Sequence, residues 1–91
     1  MLKHLLAAAL ALVACAALAA PEVNRADQAS LEKVKGIGVS LSGRILQARK
    51  LRPFRDWNDL IRRVPGIGIT GAIRLSAQGL TVNGLRYEDE E

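Results

Sequence analysis

Histidine and cysteine each occur once in the 91 residues, as His4 and Cys15, and neither recurs after residue 15. From there to the C-terminus the chain can form no intramolecular disulfide and offers zinc neither thiolate nor imidazole. Its serines and threonines have no histidine to activate them there. Acid groups are few as well: only five lie between Glu22 and Arg86, and Asp27 and Asp56 among them stand where helices begin, so no pair is left for general acid and base work. These absences argue against an enzyme. Aromatics are limited to Phe54, Trp57 and Tyr87, the first two at core-type positions, which argues against the stacking platforms that single-stranded nucleic acid requires.

What is present begins with a leader. Met1 to His4 is a short basic segment, Leu5 to Ala20 is uncharged and rich in alanine and leucine, and Ala17-Leu18-Ala19 is a small-x-small cleavage site. The segment reads as a signal peptide over residues 1–19. It is shorter than the roughly 20 apolar residues of a membrane span, so the mature protein is expected to have no stable span. Leu12-Val13-Ala14-Cys15 also resembles a lipobox, in which Cys15 would be lipidated; the alanine-rich stretch running past Cys15 favours cleavage after Ala19. Cleavage there leaves 72 residues, one small domain without cysteine or histidine.

The whole chain carries a formal +4, but Glu88, Asp89, Glu90 and Glu91 form an acidic run at its end. Between Glu22 and Arg86 twelve Lys and Arg face five Asp and Glu, a surplus of +7. Seven of these bases (Arg44, Arg49, Lys50, Arg52, Arg55, Arg62 and Arg63) fall in the twenty residues from 44 to 63. A surplus this concentrated suits a phosphate-rich partner.

The strongest signal is a duplication. Gly-Ile-Gly stands at 36–38 and again at 66–68, and the flanks match at an offset of thirty: Leu31 with Ile61, Val34 with Val64, Ser42 with Ala72, Arg44 with Arg74, Ile45 with Leu75. Each copy reads as helix, tight turn, helix, with apolar residues at helical spacing on both sides. Asp27 and Asp56 are expected N-caps, and Asn24 is expected to close the turn before the first. The second helices are expected over about 40–50 and 70–78, the latter stopped by Gly79. Pro53 ends the helix before it, and Phe54 is expected to pack between the two units. Flanking glycines permit positive φ and remove the β-carbons that would hold a ligand off the backbone. The free N–H groups at the start of each second helix then form an anion site.

This pattern resembles the helix-hairpin-helix family in its paired form, with Val34-Lys35-Gly36-Ile37-Gly38 and Val64-Pro65-Gly66-Ile67-Gly68 as the two hairpins. The fold class expected is all-α, a paired helix-hairpin-helix domain over residues 20–84, its motifs at about 27–50 and 56–79. Residues 85–91 are an acidic tail, and the segment from Leu80 onward is expected to be weakly structured beyond a packed Leu80 or Val82. The phosphate cradle is assigned to the backbone of Gly36, Ile37, Gly38, Gly66, Ile67 and Gly68. Hydroxyls come from Ser40 and Thr70, which also suit N-capping, and charge from Lys35, Arg44 and Arg74.

A leader followed by this domain alone resembles the ComEA-type competence proteins, over Val23 to about Gly84, including Val23-Asn24-x-Ala26-Asp27 and the Pro53-Phe54 before the second unit. The resemblance implies a periplasmic, sequence-nonspecific receptor for double-stranded DNA in natural transformation, working with the outer-membrane uptake machinery. It implies no cofactor, although family members elsewhere hold a monovalent cation on hairpin carbonyls. Ser42-Gly43 and Lys35-Gly36 depart from the family's usual alanine and Pro-Gly. An envelope protein-interaction module on the same fold is the alternative function; its weakness is that such a module has no need of +7. For the leader, mass spectrometry of the exported chain is expected to find Ala20 as its first residue; an acylated Cys15 would overturn that cleavage.

Overall fold

Two aspartates start the first helix of each repeat. The computed structural model describes residues 20–90; the expected leader over residues 1–19, with Cys15, and Glu91 lie outside the described residues. Asp27 accepts the N–H of Ser30 at 2.8 Å and opens α1 (Gln28–Glu32). Asp56 accepts the N–H of Asp59 at 2.7 Å and opens α3 (Trp57–Arg63). Each carboxylate satisfies one of the donors that a helix start leaves without a partner. The second helices are α2 (Val39–Leu51) and α4 (Ile69–Ala77). The expected four-helix, all-α architecture is therefore present, and β structure among the described residues is limited to isolated bridges, Glu22 with Thr81 and Val82 with Leu85.

The repeat writes itself into the core. Leu31, Val34, Ile37 and Ile45 of the first unit are buried, as are Val64, Ile67, Ala72 and Leu75 of the second. Phe54 and Trp57, wholly buried, fill the space between the units. Ser42, in the place Ala72 takes in the second unit, is buried too, and its hydroxyl donates to Glu32 at 2.8 Å while accepting from Gln28 at 3.2 Å. The hydroxyl thus joins α1 to α2 where alanine would only fit, and a buried polar group with both partners costs little.

One expectation is extended and one corrected. Asn24 lies in the turn before α1, and its side chain reaches beyond it: the amide donates to the Phe54 carbonyl at 2.9 Å and accepts the Phe54 N–H at 2.7 Å, fastening the N-terminal segment to the turn between the units. The segment from Leu80 onward is folded. Leu80 and Val82 are buried, Trp57 Nε1 donates to the Leu85 carbonyl at 2.9 Å, and Tyr87 meets the Trp57 ring edge-on at 5.7 Å. Residues Tyr87–Glu90 form a 3-10 helix that packs on α4. Tyr87 provides apolar area the packed Trp57 needs, which outweighs the polar character of the neighbouring acids.

Glu22 closes the two ends on each other. One oxygen accepts Thr81 Oγ and the Gly84 N–H, both at 2.8 Å; the other accepts the Asn83 N–H at 2.9 Å. Partial burial alone would raise this carboxyl, but the hydrogen bonds outweigh it and hold it below 4.5. Asp59 is similar. Burial would raise it, yet the Arg55 N–H at 3.0 Å and the Arg63 guanidinium at 3.1 Å hold it below 3.8.

Both groups bind protons more weakly folded than unfolded, so their contribution is complete above these ordinary values and is lost as pH falls through the lowered ones. Urea unfolding should therefore show stability falling in acid below about pH 4, and Asp59→Ala at neutral pH should cost about 3 kcal/mol by leaving Arg63 without its counter-ion and the Arg55 amide without its acceptor. A stability unchanged between neutral pH and about 2 would contradict the acid-loss account.

Candidate nucleic-acid interface

The two glycines of each hairpin do different work. Gly36 and Gly66 take φ of +105° and +106°, the left-handed region that favours glycine, and so turn the chain out of the first helix. Gly38 and Gly68 do not. Their φ values are −93° and −98° in extended backbone that any residue adopts, and a β-carbon on either would meet nothing within 4 Å. The fold itself does not require glycine at 38 or 68. What glycine provides there is bare backbone facing solvent.

Between them Ile37 and Ile67 are buried, their N–H groups bonded back to Val34 at 3.0 Å and Val64 at 3.2 Å. The side chains pin the hairpins and both N–H groups are taken internally, so the backbone donors of Ile37 and Ile67, expected in the cradle, are not open to a ligand, and the donors that follow them are. Gly38 and Gly68 are the N-caps of α2 and α4, with no side-chain cap. Ser40 and Thr70 therefore lie inside the helices and do not cap them, which corrects that part of the sequence reading. The N–H groups of Gly38, Val39 and Ser40, and of Gly68, Ile69 and Thr70, have no acceptor among the described residues. Two helix starts with free donors and a positive dipole end thus lie at the surface.

The hairpins are neighbours. Gly36 and Gly66 border one shallow cleft together with Leu41, Ile67, Gly71 and Arg74. Each first glycine is closed by the other unit: a β-carbon at Gly36 would come within 3.3 Å of Leu75, and one at Gly66 within 2.8 Å of the Arg44 guanidinium. Arg44 donates to the Pro65 carbonyl at 2.7 Å and to Ser40 Oγ at 3.0 Å. It braces the second hairpin from α2 as well as lending charge. Its repeat mate Arg74 is exposed, its side chain makes no ion pair or hydrogen bond among the described residues, and it shares a surface depression with Lys35 and Gly36. Lys35 and Arg74 are the free cations beside the first hairpin, and Thr70 is exposed.

The basic stretch from 44 to 63 divides in the same way. Arg49 donates to the carbonyls of Val23 and Ala26, and Arg63 to those of Ala48, Arg52 and Pro53. Arg52 and Arg62 stand 3.9 and 3.7 Å from Asp59 but remain mostly exposed. The field toward solvent comes from Arg25, Lys33, Lys35, Lys50, Arg52, Arg55, Arg62 and Arg74.

Residues 22–74 match the family of the helix-hairpin-helix motif. The chain belongs to the helix-hairpin-helix family. No curated protein and no solved structure gives a significant match. A helix-hairpin-helix domain is of the nucleic-acid-binding kind, and the paired helix starts with free N–H groups are the candidate site.

The division between Arg44 and Arg74 can be measured by titrating duplex DNA at several salt concentrations. Arg74→Ala should make the log-log salt slope shallower by about 0.9, the loss of one phosphate contact. Arg44→Ala should weaken binding with the slope unchanged, since its loss loosens the Pro65 turn. A slope reduced by about one unit in Arg44→Ala would make Arg44 a phosphate ligand instead.

Proposed function

We propose that the protein is an exported, sequence-nonspecific binder of double-stranded DNA, acting as a periplasmic receptor in DNA uptake during natural transformation. The observation that carries the binding mode is the pair of extended, unhindered glycines, Gly38 and Gly68, each beside three unpartnered N–H groups. Backbone donors reach phosphate oxygens and carry no sequence information. The form of the nucleic acid follows from the aromatics: Phe54 and Trp57 are buried and Tyr87 is half-buried against Trp57, so no ring is free to stack on an unpaired base. Duplex bound through its backbone is what such a surface can hold.

The role in uptake rests on the resemblance to ComEA-type proteins and on the leader-like segment over residues 1–19. In this reading the domain is a binding module without catalytic residues. Holding incoming duplex needs affinity without sequence preference and fast release along the strand, both properties of phosphate contacts.

The test is fluorescence anisotropy of the chain with short labelled duplexes of unrelated sequence. Affinity should be similar across sequences and fall with salt at a log-log slope of about −3 to −4.5, for roughly 3 to 5 neutralised phosphates. Gly38→Val with Gly68→Val should abolish binding and leave the helical circular dichroism intact, because neither site clashes within the fold. Full affinity in that folded double variant would refute the cradle. No binding by the unaltered chain at low salt would move the assignment to a protein-interaction module of the envelope.

A further inference from the structure

Five large apolar side chains are exposed among the described residues: Val39, Leu51, Ile69, Ile73 and Leu85. Two of them, Val39 at 71% and Ile69 at 63%, occupy the same position in the two repeats, the first residue of the helix after each Gly-Ile-Gly. Both follow the glycine whose surroundings are open, and their own N–H groups are among the free donors. The same hairpins carry positive charge: Lys35 and Arg74 share a depression with Gly36, and Arg44 bonds the Pro65 carbonyl. A surface meant only for phosphate would carry polar residues here, as it does one position later with Ser40 and Thr70.

Building on the duplex reading above, we infer that Val39 and Ile69 are contact residues for deoxyribose and make the domain prefer DNA over RNA duplex. The argument is one of reach and chemistry. A phosphate held by the amides of residues 38–40 or 68–70 carries a sugar on either side. The side chain of the middle residue projects from one of those same amides and is the nearest apolar group to that sugar. A deoxyribose presents C–H surface at its 2′ carbon, which a valine or isoleucine covers with mutual loss of hydration. Ribose puts a hydroxyl in that place, and a β-branched alkyl group offers it no hydrogen-bond partner, so covering it is unfavourable. The charged groups attract either polymer, while the two alkyl side chains supply the discrimination.

The experiment compares DNA and RNA duplexes of one sequence by anisotropy with the full chain, as wild type, as Val39→Thr with Ile69→Thr, and as Leu51→Thr. Threonine keeps the β-branch and the exposed position, and circular dichroism checks the fold. Leu51 is 87% exposed at the far end of α2, about 18 Å from Val39 by helical rise, so its variant reports the effect of losing any surface leucine. Expected are a wild-type preference for DNA, a loss of about tenfold on DNA with less than twofold on RNA in the double variant, an unchanged salt slope, and wild-type behaviour for Leu51→Thr. Equal losses on both duplexes, or a DNA affinity unchanged by the double substitution, would overturn the inference and leave the phosphate cradle standing. A wild type that binds neither duplex would overturn both.

Discussion

One guanidinium holds the two repeats in register. Arg63, at the end of α3, donates to Asp59 at 3.1 Å and to the carbonyls of Ala48 at 2.7 Å, Arg52 at 2.9 Å and Pro53 at 3.2 Å, and it lies 4.6 Å over the Phe54 ring. It thereby satisfies carbonyls at the C-terminal end of α2 from the first helix of the second unit. A domain of this size without a disulfide has little core to rely on. Its turn between units would be free to swing if only Phe54 anchored it. Asp59 is the counterweight. It is buried, takes the Arg55 N–H as well as Arg63, and faces Arg62 and Arg52 at longer range. Its Oδ1 has no hydrogen-bond donor, which the surrounding positive charge offsets in part.

That tie matters for the proposed function, in which the hairpins act as a pair. Phosphates on a duplex lie at set spacings, so two cradles engage together only if their separation is fixed before binding; otherwise ordering them would consume affinity. Arg63 and Phe54 set the angle between units, and Arg44 and Leu75 then close each unit's first glycine with a side chain from the other. The bare second glycines are left with no internal task. Rigidity is concentrated behind the surface and openness at it, which suits a site made of backbone donors.

The C-terminal segment extends this arrangement. Glu22 gathers Thr81, Asn83 and Gly84, Trp57 bonds Leu85, and Tyr87 covers Trp57. Arg86 pairs with Glu88 at 3.2 Å and Asp89 at 3.3 Å, so part of the acidic run is neutralised by its own neighbour and held against α4. The segment from Leu80 to Tyr87 is thus a structural piece of the second unit.

The features legible in the residues alone were those set within a few positions of the chain. The offset of thirty, the caps at Asp27 and Asp56, the turn glycines Gly36 and Gly66, the buried Ile37 and Ile67 and the packing of Phe54 follow from φ preferences, side chain to backbone reach and helical period. Much of the candidate site was legible for the same reason, since it is backbone. The tertiary structure alone decided the rest. Which arginines bond backbone carbonyls (Arg44, Arg49, Arg63) and which stay free (Arg74), that Asn24 serves Phe54, and that Tyr87 seals Trp57 depend on partners from 10 to 30 residues away. A long flexible side chain takes its role from whatever carbonyl, carboxylate or ring the fold brings within its reach. Local rules carry no record of that juxtaposition.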